Sequence, residues 1–304
     1  MSHVALTQII KDKALSLGFN AIGITTPQKK EKDFIALQNY LSHHFQGTMN
    51  YLFENAEKRS DIRLLFPDAA SIILTLCSYY PAIESNASSY KISAYAYGKD
   101  YHTVIKNKLN ELLLFIQSKQ ENVSGYIFCD SAPVFEKSLA VDAGLGWIGK
   151  HTLLVHPQLG SFVFIGGIAL NILLEKDTPL DGQCPENCTK CIDACPTKAI
   201  VKPYTLNASR CIAYVTTENR EIEMPFHNPS PYIFGCDICQ HACPFNKETQ
   251  KENNHWFKPQ PYVYWSNEKW ENLGSSSFKN NFFDSVIKRA GWRTLKRNMN
   301  HEKK

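Results

Sequence analysis

Over its first 175 residues the chain alternates two hydrophobic periods. Leu6, Ile9, Ile10, Ala14 and Leu17 recur at helical spacing, and Gly18 stands where that helix should stop. Residues 21–25 and 71–80 read as strands, and the second, SIILTLCSYY, is apolar enough to be buried on both faces. Helical patterns cover 34–45 and 100–120, and 124–129 reads as a further strand. Residues 152–155 and 161–174 look like a strand pair joined by the HPQLG turn. The alternation predicts a layered α/β (α+β) core.

The pattern changes near Asp177. DTPLDG is a polar linker, and the next seventy residues are built from Cys, Pro and short loops that could not bury a core without metal. Beyond Asn246 the chain turns polar, then aromatic at Trp256, Phe257, Tyr262, Tyr264, Trp265 and Trp270. It ends in a stretch mixing apolar and basic residues at helical spacing, interrupted by Gly291. The expected organisation is an α/β domain over 1–176, a metal-held domain over 177–250 and a short helical basic segment over 251–304.

Composition narrows the class. With 43% hydrophobic and 20% charged residues in 304, the chain is no disordered polyampholyte. Its richest apolar stretch, 162–174, is broken by Gly166, Gly167 and Asn171 and falls short of a membrane span. The N-terminus, MSHVALTQIIKDK, lacks the pattern of a secretory signal, so a cytoplasmic protein is expected. Net charge is only +4, but residues 275–304 carry +6 and leave about −2 for the rest. Lys288, Arg289, Arg293, Lys296 and Arg297 make that segment a candidate for phosphate contacts, against the plainer reading of a solvated basic tail.

Eight of the ten cysteines fall between Cys184 and Cys243, crowding that in a reducing compartment indicates metal binding. One run is Cys184-x3-Cys188-x2-Cys191-x3-Cys195-Pro196, the other Cys236-x2-Cys239-x3-Cys243-Pro244, with Cys211 between them. Cys-Pro endings fit the bacterial ferredoxin pattern, in which the last cysteine of a run serves the other cluster. That crossing groups Cys184, Cys188 and Cys191 with Cys243, and Cys236 and Cys239 with Cys195 and Cys211, using all eight. Structural zinc on four thiolates is the alternative. The first gap, Pro185-Glu186-Asn187, is one residue longer than the pattern. Gly144-x-Gly146-x-x-Gly149 imitates a dinucleotide fingerprint but follows a helical pattern instead of a strand.

CDSAPVFEKSLAVDAGLGWIGKHTLL (129–154), the cysteine runs, ISAYAYGKDYH (92–102) and SRCIAY (209–214) together resemble the epoxyqueuosine reductase family. The resemblance spans about residues 4 to 300. It implies reduction of an epoxide on the cyclopentane ring of epoxyqueuosine, at the wobble position of a tRNA anticodon, with cobalamin and two [4Fe-4S] clusters. It further implies a cobalamin-binding N-terminal domain, a ferredoxin-like double-cluster domain, a tRNA partner, an external electron donor and a monomer. Longer family members carry a HEAT-type C-terminal repeat module, whereas this sequence stops at Lys304.

By the same resemblance Asp130 is the general acid. Placed just before Ser131-Ala132-Pro133, it could equally be a helix N-cap. To act as an acid near neutral pH it must hold its proton, which calls for burial to lift its pKa above about 3.9. Arg59, Ser93, Leu154 and Ile165 match positions that line the corrin, the last two through backbone. A lone His102 at a helix start reads as structural, and Lys150 and His151 receive no role. The alternatives are a corrinoid reductase acting on a small molecule, in the manner of a reductive dehalogenase, and a ferredoxin-type electron carrier.

Overall fold

The computed structural model describes residues 3–80, 88–247 and 255–301. The expected boundary between 250 and 251, and the basic Lys303 and Lys304, lie outside them.

Four strands form the central sheet in the order Ala21–Thr25, Ser71–Ser78, Val163–Leu170, Gly125–Phe128. Every neighbouring pair is antiparallel. The central sheet is therefore antiparallel throughout, which makes the core α+β. Side chains of the Ser71–Ser78 strand alternate between the two faces. Ile73 and Cys77 pack with the helices His3–Ser16 and Tyr101–Lys119, while Ile72, Leu74 and Leu76 pack with Leu139 and Ala140 of the helix Glu136–Asp142. Both faces are thus covered, which is why the strand reads as a continuous apolar run.

Gly166 breaks the apolar stretch for a reason. A Cβ there would sit 2.5 Å from Ile105 Cγ2, so glycine is what lets the Tyr101–Lys119 helix lie close on the sheet. That helix carries His102 in its first turn, capped by Asp100, whose carboxylate accepts from the His102 backbone N–H. Gly18 ends the first helix as expected, at φ +101°.

The strand pair expected across HPQLG forms differently. Leu154–Val155 pairs with Trp147–Ile148, and only a His156–Gly160 bridge spans the turn. Gly146, at φ +140°, serves this hairpin, since a Cβ there would lie 2.1 Å from Val155 O, whereas Gly144, at φ +73°, lets the chain pass Thr178 O, 2.6 Å from where a Cβ would sit.

The C-terminal aromatic residues form a second core instead of a solvated arm. Tyr262, Trp265, Trp270, Phe278 and Phe282 are buried with Tyr90, Ile92, Ile233 and Phe234. The strand Tyr232–Phe234, just before Cys236, runs parallel to Lys91–Ile92, fastening the cysteine-rich part to the N-terminal part. Asn298 completes the joint, its Nδ2 donating to the carbonyls of Thr216 and Ile233.

Candidate functional site

Two chemically different centres lie on this framework. The first is a cavity lined by Cys184, Cys188, Cys191 and Cys243, together with Lys150 and His151. Burial comes first, and then the neighbouring Cys243, Cys184 and Cys188 sulfurs, in pushing the Cys191 thiol up to about 11. In the second group, burial and then Cys211 and Cys195 push Cys236 up to about 12, against a backbone N–H from Ile238. Cys239 is driven well up by burial and by Cys236, Cys211 and Cys195. Cys184, Cys188, Cys191 and Cys243 thus line one cavity, and Cys195 and Cys211 stand near enough to Cys236 and Cys239 to act on their ionisation.

Buried thiols such as Cys191, Cys236 and Cys239, raised further by neighbouring sulfurs, ionise together only around a cationic centre, so the residues present fit a metal group. Among the described residues no three His, Cys, Asp or Glu side chains are placed to hold a single metal ion. Quartets arranged around a space, not closed on one point, suit a cluster better than tetrahedral zinc.

The long gap after Cys184 has a local explanation. The buried Lys150 ammonium donates to the carbonyls of Pro185, Glu186 and Cys188, at 2.9, 2.5 and 3.0 Å. The extra residue arches over this cation, and Cys184 still lines the cavity with its three partners. Nothing in the pattern of the GKH tripeptide announces that contact.

The second centre is a cleft around Asp130. This residue sits at the end of the Gly125–Phe128 strand with φ +54°, in the left-handed region. The following helix begins only at Glu136 with Phe135 before it, so Asp130 caps no helix and that alternative falls. Its side chain is 57% exposed although protein surrounds the cleft. Tyr101 Oη donates to Asp130 Oδ2 at 2.7 Å, and His102 Nε2 lies 3.0 Å from the same oxygen. His102 Nδ1 lies 2.7 Å from Asp100 Oδ1, and Tyr101 stacks between the rings of His102 and Phe164.

Burial alone would raise the Asp130 carboxyl. Hydrogen bonds from His102 and Tyr101, and the charges of His102 and Arg289, outweigh it and hold the group below its ordinary value. The expectation that burial keeps Asp130 protonated is therefore corrected. The proton moves to its neighbours. Burial opposes charge on His102, but Asp100 and Asp130 overcome it and raise that imidazole. Glu136, which accepts from the Asp130 backbone N–H at 2.6 Å, is pushed up to about 8 by burial and then by the Asp130 charge.

The remaining expected site residues divide. Arg59 is half-buried over the Tyr51 ring, feels the charges of Glu136 and Asp130, and has a buried Nε without a hydrogen-bond partner. Ser93 Oγ donates to Asp237, beside Cys236, so its hydroxyl is committed to the junction. Leu154 is core, and the Ile165 carbonyl accepts from Cys129 Sγ at 3.4 Å.

Of the basic residues, Lys288 and Arg293 are exposed. Lys296 lies over the Trp292 ring and donates to Glu271 O. Arg297 is a correction: its guanidinium is taken up by Val215 O, Asn219 O and Oδ1, Glu221 O and Asn298 Oδ1, leaving no donor for a phosphate. Arg289 Nη1 stands 3.2 Å from His102 Nε2, at the cleft wall. Sequence reading missed Glu136 and the roles of His102 and Arg289, because no periodicity links positions 102, 130, 136 and 289.

A double set of crossed thiols beside a titratable cleft defines an iron–sulfur protein, and residues 183–246 match the 4Fe-4S double cluster binding domain. Residues 59–131, which include Arg59, His102 and Asp130, match the family described as epoxyqueuosine reductase QueG, DUF1730. An epoxyqueuosine reductase of Cellulophaga algicola is 41% identical over 296 residues, covering 96% of either chain. That of Escherichia coli is 36% identical, over 87% of this chain and 74% of its own. A solved epoxyqueuosine reductase with an epoxyqueuosine-modified tRNA-Tyr stem loop superposes at a TM-score of 0.88, at 27% identity, over 99% of this chain and 81% of that one. This chain belongs to the epoxyqueuosine reductase family. The reductive dehalogenase NpRdhA shares the fold at a TM-score of 0.53 and 15% identity, over 84% of this chain and 34% of its own.

Proposed function

We propose that the protein reduces epoxyqueuosine to queuosine in tRNA, with the chemistry at Asp130. The observation that carries the reading is the joining, in one fold of this family, of two thiol quartets to a cleft whose carboxylate is bonded to an imidazole. Opening an epoxide to an alkene takes two electrons and two protons and releases water. Bound cobalamin, fed by the two [4Fe-4S] clusters, supplies the electrons at the epoxide carbon.

Cys184, Cys188, Cys191 and Cys243 hold one cluster, and Cys195, Cys211, Cys236 and Cys239 the other. Arg59, with its unsatisfied Nε, offers a donor to the corrin periphery, and Leu154 and Ile165 border it. The Ser93 hydroxyl belongs to Asp237 and contributes there through the backbone at most.

Asp130 presents Oδ2 to the epoxide oxygen. At rest it is a carboxylate, and the proton donor beside it is His102, whose raised imidazole in its protonated form donates to both Asp100 and Asp130. As charge develops on the epoxide oxygen, the proton passes from His102 Nε2 through Asp130. The neutral imidazole, with its hydrogen on Nδ1, then accepts from Arg289. Glu136 keeps a proton at neutral pH one hydrogen bond from the Asp130 backbone and serves as the second local store. General acid help of this kind is typically worth about 10²–10⁴-fold.

The modified base is a loop nucleotide that can be splayed out of its stack into the cleft. Lys288 and Arg293 are the side chains free to meet its phosphates. The enzyme acts as a monomer with an external electron donor. No helix among the described residues is long and apolar enough to cross a membrane. A tRNA substrate calls for a cytoplasmic place. Anaerobic reconstitution with cobalamin, iron and sulfide, followed by nucleoside analysis of epoxyqueuosine-containing tRNA, tests the reading: queuosine should appear. A fully loaded protein that leaves the epoxide intact under reducing conditions would overturn it.

A further inference from the structure

We infer that His151 donates a hydrogen bond from Nε2 to a sulfur of the cluster held by Cys184, Cys188, Cys191 and Cys243, and so raises that cluster's reduction potential. The inference rests on the proposed ligation and adds a residue to which neither the sequence pattern nor the family resemblance gives a role.

His151 lies in the turn of the Trp147–Ile148 and Leu154–Val155 hairpin, outside the cysteine-rich segment. It lines the four-cysteine cavity and is 4% exposed. The turn fixes its tautomer. Leu153 N–H donates to His151 Nδ1 at 3.2 Å, so in the neutral ring the hydrogen sits on Nε2. That Nε2 is buried and has no hydrogen-bond partner among the described residues. A buried N–H left without an acceptor bears its full desolvation penalty, so an acceptor is called for.

The cation among the described residues lining the cavity, Lys150, has three donors and spends all three on carbonyls of the 185–188 loop. His151 is therefore the side-chain donor at the cavity still in need of an acceptor. Sulfurs carrying cluster charge are good acceptors, and hydrogen bonds to them are one of the protein's means of setting a cluster's potential. The sign follows from charge. The reduced cluster carries one more negative charge than the oxidised one, so an N–H donor favours reduction. A tuned potential at this position would set how readily electrons pass toward the Asp130 cleft.

The test compares the parent protein with His151→Leu and His151→Gln, all anaerobically reconstituted, by EPR-monitored redox titration and iron analysis. In His151→Leu one of two reduction waves should move to lower potential, with about tenfold less reduced cluster at a fixed potential, or about 59 mV for one electron. The other wave should stay in place. His151→Gln, which can return an N–H, should recover most of the shift. Unchanged waves in a His151→Leu protein with full iron would overturn the inference while leaving the ligation intact. Equal shifts in both variants would overturn it too, since that would mark a packing effect. Should His151→Leu fail to retain the cluster, the parent protein decides: ¹⁵N-histidine labelling must reveal a weak nitrogen coupling to one reduced cluster, and its absence would refute the hydrogen bond. A parent protein that assembles no cluster would overturn the ligation and the inference together.

Discussion

The cysteine-rich segment and the Asp130 cleft are two ways of building a reactive centre from one chain. In the first, seven of the eight sulfurs come in runs of closely spaced residues, where closing each short loop costs little entropy. In the second, Asp100 and His102 begin a helix, Asp130 ends a strand, Glu136 begins another helix and Arg289 comes from the C-terminal part. The thiol centres depend on metal to hold them, whereas the cleft depends on packing of the α+β sheet and the C-terminal aromatic core. The difference teaches where each should fail: one with loss of iron, the other with loss of tertiary structure or of a shared proton.

Three perturbations would break or sharpen that contrast, beginning with the largest. Phe282 is fully buried in the C-terminal core and belongs to neither cysteine run. Phe282→Ala should destabilise the protein by about 3–5 kcal/mol and should lower activity in proportion to the unfolded fraction. Chemical denaturation measures it, and a change below about 1 kcal/mol would mean the C-terminal core is not integral to the fold.

Asp130→Asn should next reduce single-turnover epoxide reduction by about 10²–10⁴-fold while cobalamin spectra and iron content stay unchanged. The pH profile adds a sign. His102 is raised above its ordinary value in the folded protein, so the proton that Asp130 delivers is present below that raised pKa and is lost as pH rises through it. Activity should fall on the alkaline side with a midpoint above about 6.5, and His102→Gln should abolish that limb. A limb unmoved by His102→Gln would assign the proton to another group, with Glu136 next in line.

The smallest effect concerns RNA. Lys288→Ala with Arg293→Ala should weaken binding of an anticodon stem loop and flatten its salt dependence by about one unit of slope per lost contact. Arg297→Ala should instead lower stability, because its donors serve five protein acceptors.

The sequence made some of this legible and hid the rest for identifiable reasons. The strand Ala21–Thr25 and the helix stop at Gly18 depend on local periodicity, and the structure reproduces them; the grouping of cysteines is readable from spacing, and Cys184, Cys188, Cys191 and Cys243 line one cavity. Strand direction does not leave such a trace, so the sheet's antiparallel pairing and the short hairpin at 147–155 could not be read in advance. The C-terminal aromatics looked like an accessory to a basic arm because their partners, Tyr90 and Ile233 among them, are distant in sequence. Asp130 was recognisable only by resemblance. Its charge state depends on His102, Tyr101 and Arg289, and burial pulling one way lost to hydrogen bonds pulling the other.

The account stands most directly on the crossing of thiolates between the two runs, and Cys243→Ala measures it. Although Cys243 belongs to the second run, its loss should remove the cluster of Cys184, Cys188 and Cys191 and leave the other whole. Iron analysis and Mössbauer spectroscopy should then find about four irons per chain in a single intact [4Fe-4S] environment, with the His151-sensitive wave gone. Retention of that wave, with loss of the cluster served by Cys236 and Cys239 instead, would contradict it.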